Sequence, residues 1–245
     1  MCGRYVLTTP VEALRKLFRF AGPALNLAPR WNIAPTQDAP VVRLADKAIE
    51  LVMLRWGLVP YWAEDAAIGA KMINARGDTV ATKPAFRAAF KSRRCLVPAD
   101  GFYEWQTTGP AHPKQPVLFR RQDGSPFAFA GIWERWVPPG GGVLESFAII
   151  TTDANQLMAK YHHRCPVVLS PGDHERWLDP KADASALIRP PPSEGFSVTR
   201  VGTRVNNVRN DDEACVAPAE PDAAVAKSVK PPRTPKKDDR QADLF

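Results

Sequence analysis

The residue with the most unusual chemistry open to it is Cys2, directly behind the first methionine. A side chain as small as Cys at that position permits removal of Met1. The product carries a 1,2-aminothiol, an α-amine of pKa about 7.7–8.0 beside a thiol of about 8.5. No internal residue offers this pair. Its amine can attack an aldehyde to give an imine and water, and the thiolate can then close on the imine carbon. The resulting thiazolidine ring resists hydrolysis far better than the imine. Two blander readings stand beside that one: a small residue at the start of a strand, or the nucleophile of an amidohydrolase whose free amine acts as base.

Charge and composition narrow the partners. The 245 residues include 33 Lys and Arg against 26 Asp and Glu, a net charge of +7. That excess permits a polyanionic partner, although charge alone is weak evidence. The seven tryptophans matter more. Several adjoin arginines (Arg30-Trp31, Arg55-Trp56, Arg176-Trp177), a combination suited to stacking bases while holding phosphates. Cys2, Cys95, Cys165 and Cys215 form no C-x-x-C pair, so free thiols in a reducing compartment are expected. No apolar run approaches the ~20 residues of a membrane span, and no charged-then-apolar leader opens the chain. These features predict a cytoplasmic, nucleoid-associated protein without a membrane partner.

Six blocks follow one another along the chain: Met1-Cys2-Gly3-Arg4, then Arg30-Trp31-Asn32-Ile33-Ala34-Pro35-Thr36-Gln37, Trp56-Gly57-Leu58-Val59-Pro60-Tyr61-Trp62, Ile73-Asn74-Ala75-Arg76, Arg94-Cys95-Leu96-Val97-Pro98-Ala99-Asp100-Gly101-Phe102-Tyr103-Glu104-Trp105 and His162-His163-Arg164-Cys165-Pro166. In this order the chain resembles the SRAP (SOS response-associated peptidase) family, the abasic-site processing proteins of bacteria and eukaryotes. The resemblance extends to Val205-Asn206-Asn207-Val208. It implies capture of abasic sites in single-stranded DNA, since a ring-opened abasic deoxyribose presents an aldehyde to the Cys2 aminothiol. It also implies removal of Met1, either by the protein itself or by a general methionine aminopeptidase, and a lyase-like, slow self-reversal of the cross-link.

The resemblance assigns roles that the side-chain chemistry can support. Asn74 would orient the Cys2 amine, and an uncharged amide does so without holding the amine protonated. Glu104, between Tyr103 and Trp105, would shuttle protons with a raised pKa. His162 would help open the sugar and expel water. Arg4, Arg76 and Arg164 would grip phosphates, Pro35 and Thr151 would line the pocket, and Trp62 would stack or wedge against a base. Lys83, Arg87, Lys91, Arg93 and Arg94 either flank the groove or are simply solvated. His163 and Cys165 depart from the family's usual acidic residue and Met or Arg. The cluster of His162, His163 and Cys165 lacks the second donor group of a zinc site, so neither a metal nor another cofactor is expected. Beside covalent capture stand two alternatives, an N-terminal-nucleophile cysteine hydrolase without a DNA substrate and a non-covalent single-strand binding module.

From Pro218 the composition turns to Pro, Ala, Lys and Asp without apolar periodicity, so 218–245 is expected to be a disordered tail behind a domain of 1–217. The tail holds six basic and five acidic residues, which leaves +6 of the charge on the domain. Its end, Gln241-Ala242-Asp243-Leu244-Phe245, resembles the peptide with which bacterial repair proteins dock on the sliding clamp. There Gln241 would bond at the rim of an apolar pocket filled by Leu244 and Phe245.

These residues need a scaffold. Residues 3–8 read as a strand. Thr9-Pro10-Val11-Glu12 reads as a capping box opening a helix whose stripe is Val11, Leu14, Leu17, Phe18 and Ala21, stopped by Gly22-Pro23. A hairpin is expected over 40–44 and 49–56, a helix over 84–91, and strands over 94–105, 116–121 and 126–137, with Gln122-Asp123-Gly124 as a turn. A strand over 146–152, a helix over 154–161, a strand over 167–170, a helix from Ser170 and a strand over 196–201 complete the pattern. Short strands outnumber short helices without regular alternation, which predicts an α+β fold with a β-rich single domain. The family resemblance adds mixed and antiparallel, barrel-like sheets flanked by short helices, and a monomer suffices for the chemistry.

Overall fold

The computed structural model describes residues 2–23, 25–45, 48–107, 109 and 114–219. Along the chain come β1 (Tyr5–Leu7), α1 (Val11–Phe18), β2 (Arg30–Ile33), β3 (Asp38–Ala45), β4 (Ala48–Trp56) and β5 (Asn74–Arg76). Then follow α2 (Arg87–Ser92), β6 (Arg94–Ala99), β7 (Gly101–Gln106), β8 (Gln115–Arg121), β9 (Phe127–Trp136) and β10 (Leu144–Asp153). β11 (Arg164–Pro166), β12 (Val168–Leu169), α3 (His174–Leu178) and β13 (Phe196–Arg200) come last. The fold is α+β and rich in sheet, as the sequence predicts.

Two sheets carry it. The smaller runs β13-β8-β7-β1-β2. The larger runs β11-β10-β4-β3-β6-β9-β12, and a further β10–β9 pairing closes five of its strands into a ring that is not a strict barrel. β10 is the hub, pairing antiparallel with β9 and β11 and parallel with β4 and β5. Its buried run Phe147–Thr151 suits a strand covered on both faces. Gly131 permits the tight β6–β9 approach, because a Cβ there would lie 2.8 Å from Cys95 Sγ and 2.9 Å from Val97 Cγ2. Tyr5, Phe102, Phe119, Phe127 and Phe129 fill the space between the sheets, with Phe102 stacked on Phe119 and edges meeting faces elsewhere.

Several local expectations need correction. The run 94–105 is not one strand: it breaks at Asp100, where the chain leaves the large sheet for the small one. Asp100 accepts from the backbone N–H and hydroxyl groups of both Thr8 and Thr9. Thr9 is therefore not the cap of α1; the helix opens behind Pro10 without a side-chain cap, and Glu12 pairs with Arg15 instead. Ala21 lies beyond the helix, bridging to Glu50. Residues 154–161 hold only a short 3-10 turn at Met158–Lys160, since Asn155 caps the turn through Met158 N–H and the chain must swing back into β11. The expected helix over 84–91 starts only at Arg87, and Ser170 contributes no side-chain cap to the turn behind it. The hairpin, the 122–124 turn and the strand near 196–201 are found where they were read.

Candidate active site where the two sheets meet

Cys2 is fully buried, three residues ahead of the first residue of β1. Its carbonyl oxygen accepts a 2.8 Å hydrogen bond from Asn74 Nδ2. Asn74 opens β5, which β10 holds in parallel register through Ile149 opposite Asn74. The other amide atom, Asn74 Oδ1, is buried without a partner among the described residues. An acceptor left open beside the start of the chain suits an incoming N–H donor.

Glu104 reaches the same place from the small sheet. Tyr5 faces Phe102 in the β1–β7 pairing, and Tyr103 N–H donates to Arg4 O, so Glu104 comes alongside the residues that precede β1. Only 6% of Glu104 is exposed. Burial raises its carboxyl above the ordinary carboxylate range. Burial also pushes the Cys2 thiol up, and the charge of Glu104 adds to that rise. Cys165 is pushed up to about 11 by burial, with Glu104 again contributing. A thiol held so high is no thiolate at neutral pH, so a neighbouring base has to take its proton.

His162 lies in the loop before β11. Its Nδ1 stands 2.9 Å from Arg164 N and 3.0 Å from Arg164 O. A neutral ring accepts from that N–H, and a protonated ring donates to that carbonyl, so one backbone unit serves both states. Partial burial lowers its pKa from the ordinary value. His163 stacks on His162 with centroids 4.3 Å apart.

The three arginines read as phosphate ligands all have partners within the chain. Arg4 Nη1 donates to Asn32 Oδ1 at 2.9 Å and to Val205 O at 2.7 Å. Its guanidinium lies 5.7 Å from the Trp105 ring centre. Arg76 forks onto Asp78 from an exposed position at the end of β5. Arg164 is 6% exposed and spans Thr151 O at 2.6 Å, Thr151 Oγ1 at 3.3 Å and Asp153 Oδ1 at 3.2 Å. Thr151 is thus an anchor for Arg164, placed in β10 opposite Arg76 and Pro166.

Pro35 lines an open pocket of about 470 Å³ together with Gly3, Arg4, Trp105, Lys114 and Asn206. Trp62 is 48% exposed beside exposed Tyr61, and borders a separate groove with Ile68 and Lys71. Among the more generic cations, Lys83, Arg87 and Lys91 are exposed, whereas Arg93 pairs with buried Glu134 at 2.7 Å. Arg94 is not solvated, although it borders a pocket of about 630 Å³ with Arg87 and Lys91. It is 5% exposed and donates to the carbonyls of Phe90, Lys91, Trp177, Asp179 and Ala182. Gln241, Leu244 and Phe245 lie outside the described residues.

Sequence reasoning passed over a polar joint under the pocket. Asn32 is fully buried and donates to the carbonyls of Val205, Asn207 and Asn210. Asp211 accepts from Trp31 and Asn32 N–H and pairs with Arg30. Trp105 Nε1 donates to Asn206 Oδ1 at 2.7 Å. These contacts fasten the segment 203–215 onto β1, β2 and β7. The asparagines of Val205-Asn206-Asn207-Val208 were the available signal; nothing near Asp211 in sequence announces its role.

Comparison with known proteins points the same way as the residues. The sequence model described as SOS response associated peptidase (SRAP) matches residues 1–208. The abasic site processing protein YoqW of Bacillus subtilis (strain 168) is 37% identical over 217 residues, covering 86% of this chain and 96% of that one. The abasic site processing protein HMCES of Gallus gallus is 35% identical over 237 residues, covering 82% of this chain and 69% of that one. A crystal structure of a Bacteroides thetaiotaomicron protein superposes with a TM-score of 0.81 at 26% identity, over 89% of this chain and all of that one.

Proposed function

The chain belongs to the SOS response associated peptidase (SRAP) family, and on that premise we propose that it captures abasic sites in single-stranded DNA through Cys2. Its relatives bear the name abasic site processing protein. In the proposed reaction, removal of Met1 frees the Cys2 amine. The amine attacks the aldehyde of the ring-opened sugar, and water leaves as the imine forms. The thiol gives its proton to Glu104, the sulfur bonds to the imine carbon as the C=N π pair moves to nitrogen, and Glu104 returns the proton to that nitrogen. His162 exchanges protons with the sugar oxygen during ring opening, its ring stabilised in either state by the backbone of Arg164. The same groups serve slow reversal, a lyase-like step.

The observation that carries this reading is the contact of Asn74 with Cys2, with the charge of Glu104 acting on the same thiol. Asn74 and Glu104, far apart in sequence, both act on the one position where an aminothiol can exist. Cleavage of Met1 is assigned to this site as well, in keeping with the peptidase of the family's name. We assign the protein to the nucleoid, and Gln241, Leu244 and Phe245 to docking on the sliding clamp. The structure holds no helix long and apolar enough to cross a membrane among the described residues.

The test is a denaturing gel after mixing the protein with a single-stranded oligonucleotide bearing an abasic site. A heat-stable adduct is expected with the natural protein and none with Cys2→Ala. Absence of adduct from protein whose mass shows Met1 removed would refute the proposal. Turnover of small amides without DNA would favour the hydrolase alternative instead.

A further inference from the structure

We propose that His163 is a positioning residue for His162: its stacked ring and its charge hold His162 against the backbone of Arg164 in the neutral form that the reaction uses. The inference rests on the DNA-capture reading above and names what prepares one of its groups.

The stack is built by the backbone. His162 N–H donates to Met158 O at 3.0 Å, and His163 O accepts from Ala154 N–H at 3.1 Å. His162 Nδ1 meets Arg164 N at 2.9 Å and Arg164 O at 3.0 Å. Three successive residues are thus pinned to the turn at Met158, to the end of β10 and to one another. In that frame the two rings lie 4.3 Å apart with 26° between their planes. His163 is exposed, and His162 is half-buried.

Two imidazoles at this distance resist double protonation, because each cation raises the cost of the other. The half-buried ring also loses part of its hydration when charged, so His162 is the one left neutral. Burial lowers its pKa most, and the positive amino terminus, His163 and Lys114 lower it further against the opposing hydrogen bond with the Arg164 backbone. Glu104 on β7 feels the amino terminus and Lys114 as well, and Asp153 on β10 is taken up by Arg164. His162 therefore stays neutral at a pH where an isolated histidine begins to charge.

Neutrality matters for opening the sugar. A protonated ring has no lone pair to take the proton of the sugar's hydroxyl. A neutral ring that donates Nδ1–H to Arg164 O presents Nε2 as an acceptor. The hydroxyl proton passes to Nε2, the C=O bond forms as the bond to the ring oxygen breaks, and the imidazole hands the proton to that released oxygen. The aldehyde is then open to the Cys2 amine, and His162 is neutral again.

The test reads the charge of His162 directly. Full-length protein carrying Cys2→Ala is titrated from about pH 5 to about pH 8 while the histidine ring protons are followed by NMR. His162→Gln assigns the His162 signal. Its midpoint is expected below the ordinary 6.5 in natural His163 protein, higher in His163→Phe, which keeps a stacked ring without charge, and higher still in His163→Glu, which reverses the charge. His174, buried on α3, should keep its midpoint throughout and so report an intact fold. With Cys2 in place, the single-turnover cross-linking rate at about pH 6 relative to about pH 8 should fall in the same order. A His162 midpoint unmoved by both substitutions overturns the inference, as does a moved midpoint with an unchanged rate ratio. An adduct with an unmoved midpoint sinks this inference alone. If the natural protein forms no adduct with abasic DNA, the capture reading itself fails.

Discussion

A buried carboxyl beside a buried thiol cannot leave both groups ionised at neutral pH, because each charge raises the cost of the other. Glu104 and Cys2 stand in that relation. Transfer of the thiol proton to Glu104 therefore keeps one charge in the site throughout, and a raised carboxyl pKa makes that transfer easier. Cross-linking should fall as pH drops through the pKa of Glu104, with a midpoint above the ordinary 4.5. Glu104→Gln should slow single-turnover cross-linking by about 10²–10⁴ and erase that acid limb. Stability should move the other way. Between the ordinary and the raised value the folded state binds more protons than the unfolded one, so stability falls as pH rises through this window. At neutral pH Glu104→Gln should thus melt no lower than the natural protein, a result that thermal unfolding at pH 7 would check. The ordered blocks proposed Cys2, Asn74, Glu104 and His162 together, and the structure brings Asn74 and Glu104 to Cys2. What the arginines bind was not legible in the sequence. Arg76 pairs locally with Asp78 two positions on, but the partners of Arg164 and Arg4 lie 11 and 28 positions away, where chain pairing rather than local pattern brings them.

Among the elements, the long central strands were readable because β-branched and aromatic residues recur between turn residues. The strands that position the site were not: β2, β5 and β11 have four, three and three residues, too short to show a period. They exist because β1 and β10 offer them hydrogen-bonding edges. Arg94 shows a different limit, since a cation in a basic stretch reads as solvated until tertiary structure gathers carbonyls around it. It ties the C-terminal ends of α2 and α3 together through five carbonyl oxygens. Arg94→Ala leaves those acceptors buried and should cost upwards of about 3 kcal/mol, read as a shift of the urea midpoint. α3 carries a second sensitive group. His174 is buried against Phe18 with ring centres 5.2 Å apart, and burial lowers its pKa below 6.5. The unfolded chain then takes up a proton before the folded one does. Stability is lost as pH falls from 6.5 through the lowered folded value, and His174→Phe should flatten that loss in melting curves taken from pH 7 to 5.

At the scale of the whole molecule, the question is where the folded unit stops. The composition change at Pro218 suggested an end at 217, yet pairing continues slightly further. Pro218 bridges to Val201, Ala219 N–H donates to Arg200 O, and Gly202 N–H donates to Ala217 O. These contacts extend the edge of β13, whose other side is held by β8. They also lie just beyond the joint in which Asn32 and Asp211 secure 203–215, so the last paired residues close a belt around the small sheet. A chain ending at Ala219 should therefore melt with the full-length protein and cross-link abasic DNA at the same rate. A chain ending at Ala217 loses the Ala219 N–H bond to Arg200 O and the Pro218 bridge, and should melt lower, by roughly 4 °C for each ~1 kcal/mol lost. Either truncation removes Gln241, Leu244 and Phe245, so clamp binding in a titration should vanish from both. Clamp binding that survives the truncation would place the docking surface on the folded unit instead, and equal melting of the two shortened chains would show that the belt ends before Pro218.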